Sequence, residues 1–221
     1  MKRKKVLITG ANGVIGTVLQ ATLLEYDITV ADLPHDDLRD YTHVEKIIAD
    51  HDAIIHLAWD TKSEHATSET TNSENSVMFE NVFRAALHAK IPRVIMASSV
   101  HAHKLMTSAP KDPLSPFTIP EPNNPYGAHK LFMEALGKYY ANQGLEVTAL
   151  RFGGVTPDNR PIMDERERPL WLSHRDLGIL MKACLEKNMP ENFAILWATS
   201  RGAIPYYDLS NPFGWMPEDT P

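Results

Sequence analysis

The sequence predicts an α/β fold, a doubly wound parallel sheet, on three observations. Short β-branched runs alternate with stretches of helical periodicity, the first run passes through a glycine-rich turn into the first helix, and the second run ends in an acid. Such alternation builds a parallel sheet covered on both faces.

Val6-Leu7-Ile8-Thr9 is the first strand, and apolar residues at helical spacing follow from Val14 to Tyr26. Ile28-Thr29-Val30-Ala31-Asp32 is the second strand, and a helix covers Tyr41 to Ala49. Ala53-Ile54-Ile55-His56-Leu57-Ala58 is the third, with a helix from about Asn75 to Ala89 after it. Arg93 to Ser99 and Leu145 to Arg151 are further strands, on either side of the helix that carries Tyr126. Ser173-His174-Arg175-Asp176 before an apolar run has the form of a capping box, opening a helix through about Leu185 with Cys184 in its core face. Residues 1–150 are therefore expected to form the sheet core, and residues 151–221 a small C-terminal lobe packed by Trp171, Trp197 and Trp215. The segment between Asp32 and Asp37 is too short for a helix and another strand, so the sheet edge beyond the second strand is expected to be trimmed.

Two polar or proline-rich stretches, Asp60 to Glu74 and Met106 to Pro125, read as loops at the carboxyl ends of successive strands. Open α/β sheets bind ligands at those ends, so each loop is either a wall of a ligand site or a solvated surface loop. The net charge is −6 and the one basic run is Lys2-Arg3-Lys4-Lys5, which argues against a nucleic-acid partner. No apolar run is long enough to span a bilayer, and the N-terminal stretch lacks the form of a signal peptide. The lone Cys184 fits a reducing compartment, and the cytoplasm is the expected location. His101 and His103 could face one metal, but no cysteine or carboxylate cluster accompanies them and no metal is expected. Oligomerisation is left open.

Gly10, Gly13 and Gly16 sit where a strand turns into a helix, a place that lets backbone amides approach a pyrophosphate. With Asn12, Val14 and Ile15 between them, and Asp32 and Leu33 closing the second strand about 20 residues on, they match a Rossmann-type dinucleotide fingerprint. An acid at position 32 accepts hydrogen bonds from ribose hydroxyls and repels a 2′-phosphate, so NAD is the expected cofactor. Tyr126 and Lys130 lie four residues apart on one helical face. A phenol serving as a base at neutral pH needs its pKa lowered by about three units, roughly 4 kcal/mol, and a neighbouring cation is the available means.

Gly-x-x-Gly-x-x-Gly, a serine ending a strand at Ser99, and Tyr126-x-x-x-Lys130 together resemble the extended short-chain dehydrogenase/reductase family, within the NAD-dependent epimerase/dehydratase superfamily. Ala97-Ser98-Ser99-Val100-His101, Val155-Thr156-Pro157, Trp171 to Asp176 and Phe213 to Asp219 are similar to uronate dehydrogenase and related NAD-dependent aldose dehydrogenases. The resemblance implies that Tyr126 takes a proton from a sugar hydroxyl as hydride leaves the same carbon, forming a lactone. It implies that Lys130 lowers the tyrosine pKa and binds the nicotinamide ribose, and that Ser99 bonds the reacting oxygen. It also places Asp37 and Leu38 near adenine, Leu57 and Ala58 along the dinucleotide, and Asn75 on the helix that faces the fourth strand. Thr61, His101 and Arg160 become substrate residues, Arg160 as a carboxylate clamp, and the C-terminal lobe becomes the substrate side.

Val100 and Gly154 depart from that pattern, replacing an asparagine and a serine that contact the sugar. The substrate is thus left open among a hexuronate, an aldose and an aldose phosphate. A nucleotide-sugar epimerase or dehydratase, or a non-catalytic NAD sensor, are the alternatives.

Overall fold

The computed structural model describes residues 3–106 and 108–221. Strands form where the apolar runs stand: β1 (Lys5–Thr9), β2 (Asp27–Ala31), β3 (Ala53–His56), β4 (Arg93–Ser99), β5 (Glu146–Phe152) and β6 (Phe193–Ala198). All pair in parallel, in the order β2-β1-β3-β4-β5-β6. The helices are α1 (Val14–Thr22), α2 (Tyr41–Ile48), α3 (Ser73–His88), α4 (Pro125–Ala141) and α5 (His174–Glu186). β2 is an edge strand, as the short segment after Asp32 requires.

The helices cover both faces. On one, Val18 and Leu19 of α1 and Leu177, Leu180, Met181 and Cys184 of α5 bury against Val6, Ile8 and Ile55. On the other, Val44 and Ile48 of α2, Phe79, Val82 and Phe83 of α3 and Met133 of α4 bury against Leu7, Ile54 and Val94. The alternation of Val6, Leu7 and Ile8 between these two clusters is the two-residue period of a strand in a sheet that is apolar on both sides.

Residues 193–198 fall in the range expected to be a lobe, yet they complete the sheet beside β5. Phe-Ala-Ile-Leu-Trp-Ala is itself a strand-type run, and α5 returns the chain for it as a parallel crossover. Trp197 lies in that strand, its Nε1 donating to the Leu114 carbonyl at 3.0 Å, so the proline-rich loop packs on β6 and the tail. Ser173 caps α5 as expected, accepting from the Asp176 amide at 3.0 Å. The fully buried Asp176 carboxylate in turn accepts from the Glu218 and Asp219 amides and from the Ser200 hydroxyl. The two C-terminal motifs are therefore one interlocked structure.

A buried ion pair ties α4 to the sheet. Glu134 receives Nε and Nη2 of Arg151 at 2.8 Å each, and the Ser98 hydroxyl at 2.5 Å. Bidentate geometry with a third donor satisfies the carboxylate that burial would otherwise destabilise. Among the described residues no helix is long and apolar enough to cross a membrane.

Candidate active site

The carboxyl ends of β3, β4 and β5 converge on a cavity of about 340 Å³. Its first wall is Ile15 at the start of α1, within the glycine motif. Gly10 has φ +68°, and a Cβ there would lie 2.7 Å from the Ala58 nitrogen. A Cβ on Gly16 would lie 2.5 Å from the Ala11 carbonyl oxygen, so the turn is as tight as backbone allows. α1 starts without a side-chain cap, which leaves its first amides open to an anion. Asp32 stands across the turn, its carboxylate accepting from the amides of Asn12 and Leu33 at 2.8 Å each. Glycine turn, open helix end and acid together fit a dinucleotide. Ile15 and Leu57 line the cavity, and Ala58 closes the contact with Gly10.

α4 supplies the second wall. Asn124 caps it through the Gly127 amide at 2.8 Å, and Pro125 occupies the first helical position. Gly127 lets the first turn press on the 3₁₀ turn Val100–Ala102 that follows β4, since a Cβ there would fall 2.0 Å from the His101 carbonyl oxygen. That close approach sets Tyr126 beside Ser99. Tyr126, Lys130, Ser99 and His101 all line the cavity. The His101 ring packs edge-on against Tyr126 with centroids 5.9 Å apart.

The electrostatics differ from the sequence expectation. Burial holds the Tyr126 phenol above its ordinary range, with the Ser99 hydroxyl opposing and Glu64 adding to the rise. Lys130 does not reverse this. Its ammonium lies 5.6 Å from the Tyr126 ring centroid, donates to the Ala97 carbonyl at 3.2 Å and stacks 3.4 Å above the Trp59 ring. Burial lowers the Lys130 pKa to about 7, and Glu64 and Glu134 hold it from falling further. Burial also lowers the pKa of His101.

Glu64 escaped the sequence reading. It is fully buried in the cavity wall, where its carboxylate accepts from the Asn72 amide at 2.9 Å, Asn75 Nδ2 at 3.0 Å and His129 Nδ1 at 2.9 Å. His129 Nε2 meets the Ser76 hydroxyl at 2.8 Å, so α3, α4 and the loop after β3 are joined at one point. Asn75 thus braces that loop, its Oδ1 also accepting from the Asp60 amide at 2.8 Å.

Other expected residues fall variously. Thr61 lines the cavity with Glu64, His65 and Ala66, making the loop after β3 a wall. The proline-rich loop reaches the cavity only next to its start, at Leu105; Thr107 of that loop lies outside the described residues. Asp37 is held in the fork of Arg39 at 2.6 and 2.8 Å, and Leu38 is buried against α2 and α3. Arg160 does not line the cavity. Its side chain is 84% exposed and 3.4 Å from Asp158, because the turn from Thr156 to Arg160 closes on itself and points the residue outward. Ile162 fills the space above Gly154, where a Cβ would fall 2.1 Å from its Cδ1.

A model of the NAD dependent epimerase/dehydratase family matches residues 6–161. L-arabinose 1-dehydrogenase (NAD(P)(+)) of Haloferax volcanii is 31% identical, over 97% of this chain and 96% of that protein. NAD-dependent glucose-6-phosphate dehydrogenase of the same organism is 28% identical, over 97% of this chain and 93% of that protein. The crystal structure of a uronate dehydrogenase variant from Agrobacterium tumefaciens complexed with NAD superposes with a TM-score of 0.80 at 26% identity. It covers 99% of this chain and 86% of that one.

Proposed function

We propose, given that the chain belongs to the NAD dependent epimerase/dehydratase family, that it is an NAD-dependent sugar dehydrogenase. It oxidises the anomeric carbon of an aldose, aldose phosphate or hexuronate to the lactone. The observation that carries this reading is the meeting of Ser99, Tyr126 and Lys130 in one cavity beside the glycine turn.

Gly10, Gly13, Gly16 and the open start of α1 hold the pyrophosphate, and Asp32 accepts from the adenosine ribose hydroxyls. NAD, when bound, supplies the hydride acceptor. Ser99 holds the anomeric oxygen by a hydrogen bond, and Tyr126 as phenolate takes its proton. Lys130, anchored at the Ala97 carbonyl, binds the nicotinamide ribose. Because burial keeps the phenol protonated at neutral pH, oxidation is favoured as pH rises above neutral. Residues 1–150 carry the cofactor, and Gly153, Gly154, Ile162, Glu167 and Leu170 of the region 151–221 border the sugar. The free Cys184 thiol supports a cytoplasmic location.

A panel of aldoses, aldose phosphates and hexuronates with NAD, read by NADH absorbance, tests the proposal. NADH formation from at least one sugar supports it. Silence with all of them, together with epimerisation of a nucleotide sugar, would replace it.

A further inference from the structure

Resting on the dehydrogenase reading above, we infer that the sugar this cavity takes is an uncharged aldose, and that Glu167 is the residue that selects it. Among the described residues, three charged side chains line the cavity: Lys130, Glu64 and Glu167. Two of them are already committed. The Lys130 ammonium is spent on the Ala97 carbonyl and the Trp59 ring. The Glu64 carboxylate has its donors in Asn72, Asn75 and His129.

Glu167 stands apart. It lies at the start of the 3₁₀ turn Arg168–Leu170, half-buried, and its carboxylate has no hydrogen-bond or salt-bridge partner among the described residues. It lines the same cavity as His101, near enough for its charge to be felt by that imidazole. A carboxylate in this position accepts hydrogen bonds from two neighbouring hydroxyls, which a sugar ring presents.

The same carboxylate opposes an anionic substituent. No arginine lines the cavity among the described residues, and Arg160, Arg166 and Arg168 are all exposed on the segment beside it. Arg160 and Arg166 face Asp158 and Asp164 instead. The rest of that wall is apolar, with Ile162 packed over Gly154 beside Leu105 and Leu170. A uronate carboxylate or a sugar phosphate would therefore meet hydrocarbon and an unpaired like charge, which is discrimination by repulsion.

The test is the ratio of kcat/KM for neutral aldoses (L-arabinose, D-xylose, D-glucose, D-galactose) to that for D-glucuronate, D-galacturonate and glucose 6-phosphate, with NAD. It is measured for the wild type, Glu167→Gln and Glu167→Ala, with circular dichroism and NADH binding as checks on folding. The wild type is expected to prefer its best neutral aldose by at least about tenfold. Both variants should narrow that ratio, chiefly through KM, with NADH affinity unchanged. A wild-type preference for a uronate or phosphate, or an unaltered ratio in both folded variants, would overturn the inference while leaving the dehydrogenase reading standing. No NADH from any sugar would overturn that reading and this inference with it.

Discussion

Gly127→Ala probes the geometry that brings the phenol to its partners. The added Cβ would fall 2.0 Å from the His101 carbonyl oxygen and 2.8 Å from its carbon. Atoms this close must separate to at least about 3 Å, so the first turn of α4 has to retreat by roughly 1 Å. Ser99 cannot follow, because it ends β4 in register with Phe152 of β5. Tyr126, the preceding residue in the chain, moves with the helix. A displacement of that size at a reacting group costs about 10²-fold in rate, or roughly 2.7 kcal/mol of transition-state stabilisation. Overpacking costs about 1–3 kcal/mol of stability, which a domain of this size tolerates at 25 °C. NADH formation at saturating sugar gives kcat, fluorescence titration with NADH gives cofactor affinity, and circular dichroism confirms folding. The expected result is a kcat lower by about 10²-fold with cofactor affinity preserved, since the glycine turn lies on another element. A folded variant with wild-type kcat would refute the reasoning that Gly127 sets the position of Tyr126.

Further outcomes are expected elsewhere in the molecule. Arg151→Met strands the buried Glu134 carboxylate, whose side chain is 6% exposed, and should cost about 3–5 kcal/mol, lowering Tm by roughly 6–20 °C. Adding Glu134→Leu should restore much of that loss in thermal unfolding; a single variant as stable as the wild type would contradict the account. Glu64→Gln removes a negative charge that supports Lys130, so the Lys130 pKa falls below about 7 and the limb it contributes to the pH profile of kcat/KM moves to lower pH. A profile superimposable on the wild type would count against that coupling. Asp32→Ser should raise the kcat/KM ratio of NADP over NAD by about tenfold or more, because the repulsion of a 2′-phosphate is gone; an unchanged ratio would mean that Asp32 does not face the ribose.

The features legible in the sequence are those written within one turn or one helix. Gly10 to Gly16, the acid ending β2, Ser99 at the end of β4 and the four-residue spacing of Tyr126 and Lys130 are local patterns, and local patterns survive without knowledge of the fold. The capping role of Ser173 was legible for the same reason. Contacts between distant segments were not. Glu64 lies 65 residues from His129, and only the packing of α3 against α4 reveals that the two form one buried pair. Gly127 reads as an ordinary helical residue until the His101 carbonyl is found against it. Phe193 to Ala198 has the composition of a strand, yet its place beside β5 depends on where α5 returns the chain. The outward turn of Arg160 and the inward one of Glu167 belong to a loop with no periodicity to read. The pKa of Tyr126 was expected to follow its helical neighbour, but burial outweighs a cation whose ammonium is turned toward Trp59.

Tyr126→Phe tests the account most directly, because it removes the phenolic oxygen and leaves the ring packed against Trp59 and His101. Turnover of the best sugar with NAD, measured on this variant beside its NADH affinity, should fall by about 10²–10⁴-fold while the affinity holds. Turnover equal to the wild type would contradict the assignment of Tyr126 as the group that takes the proton.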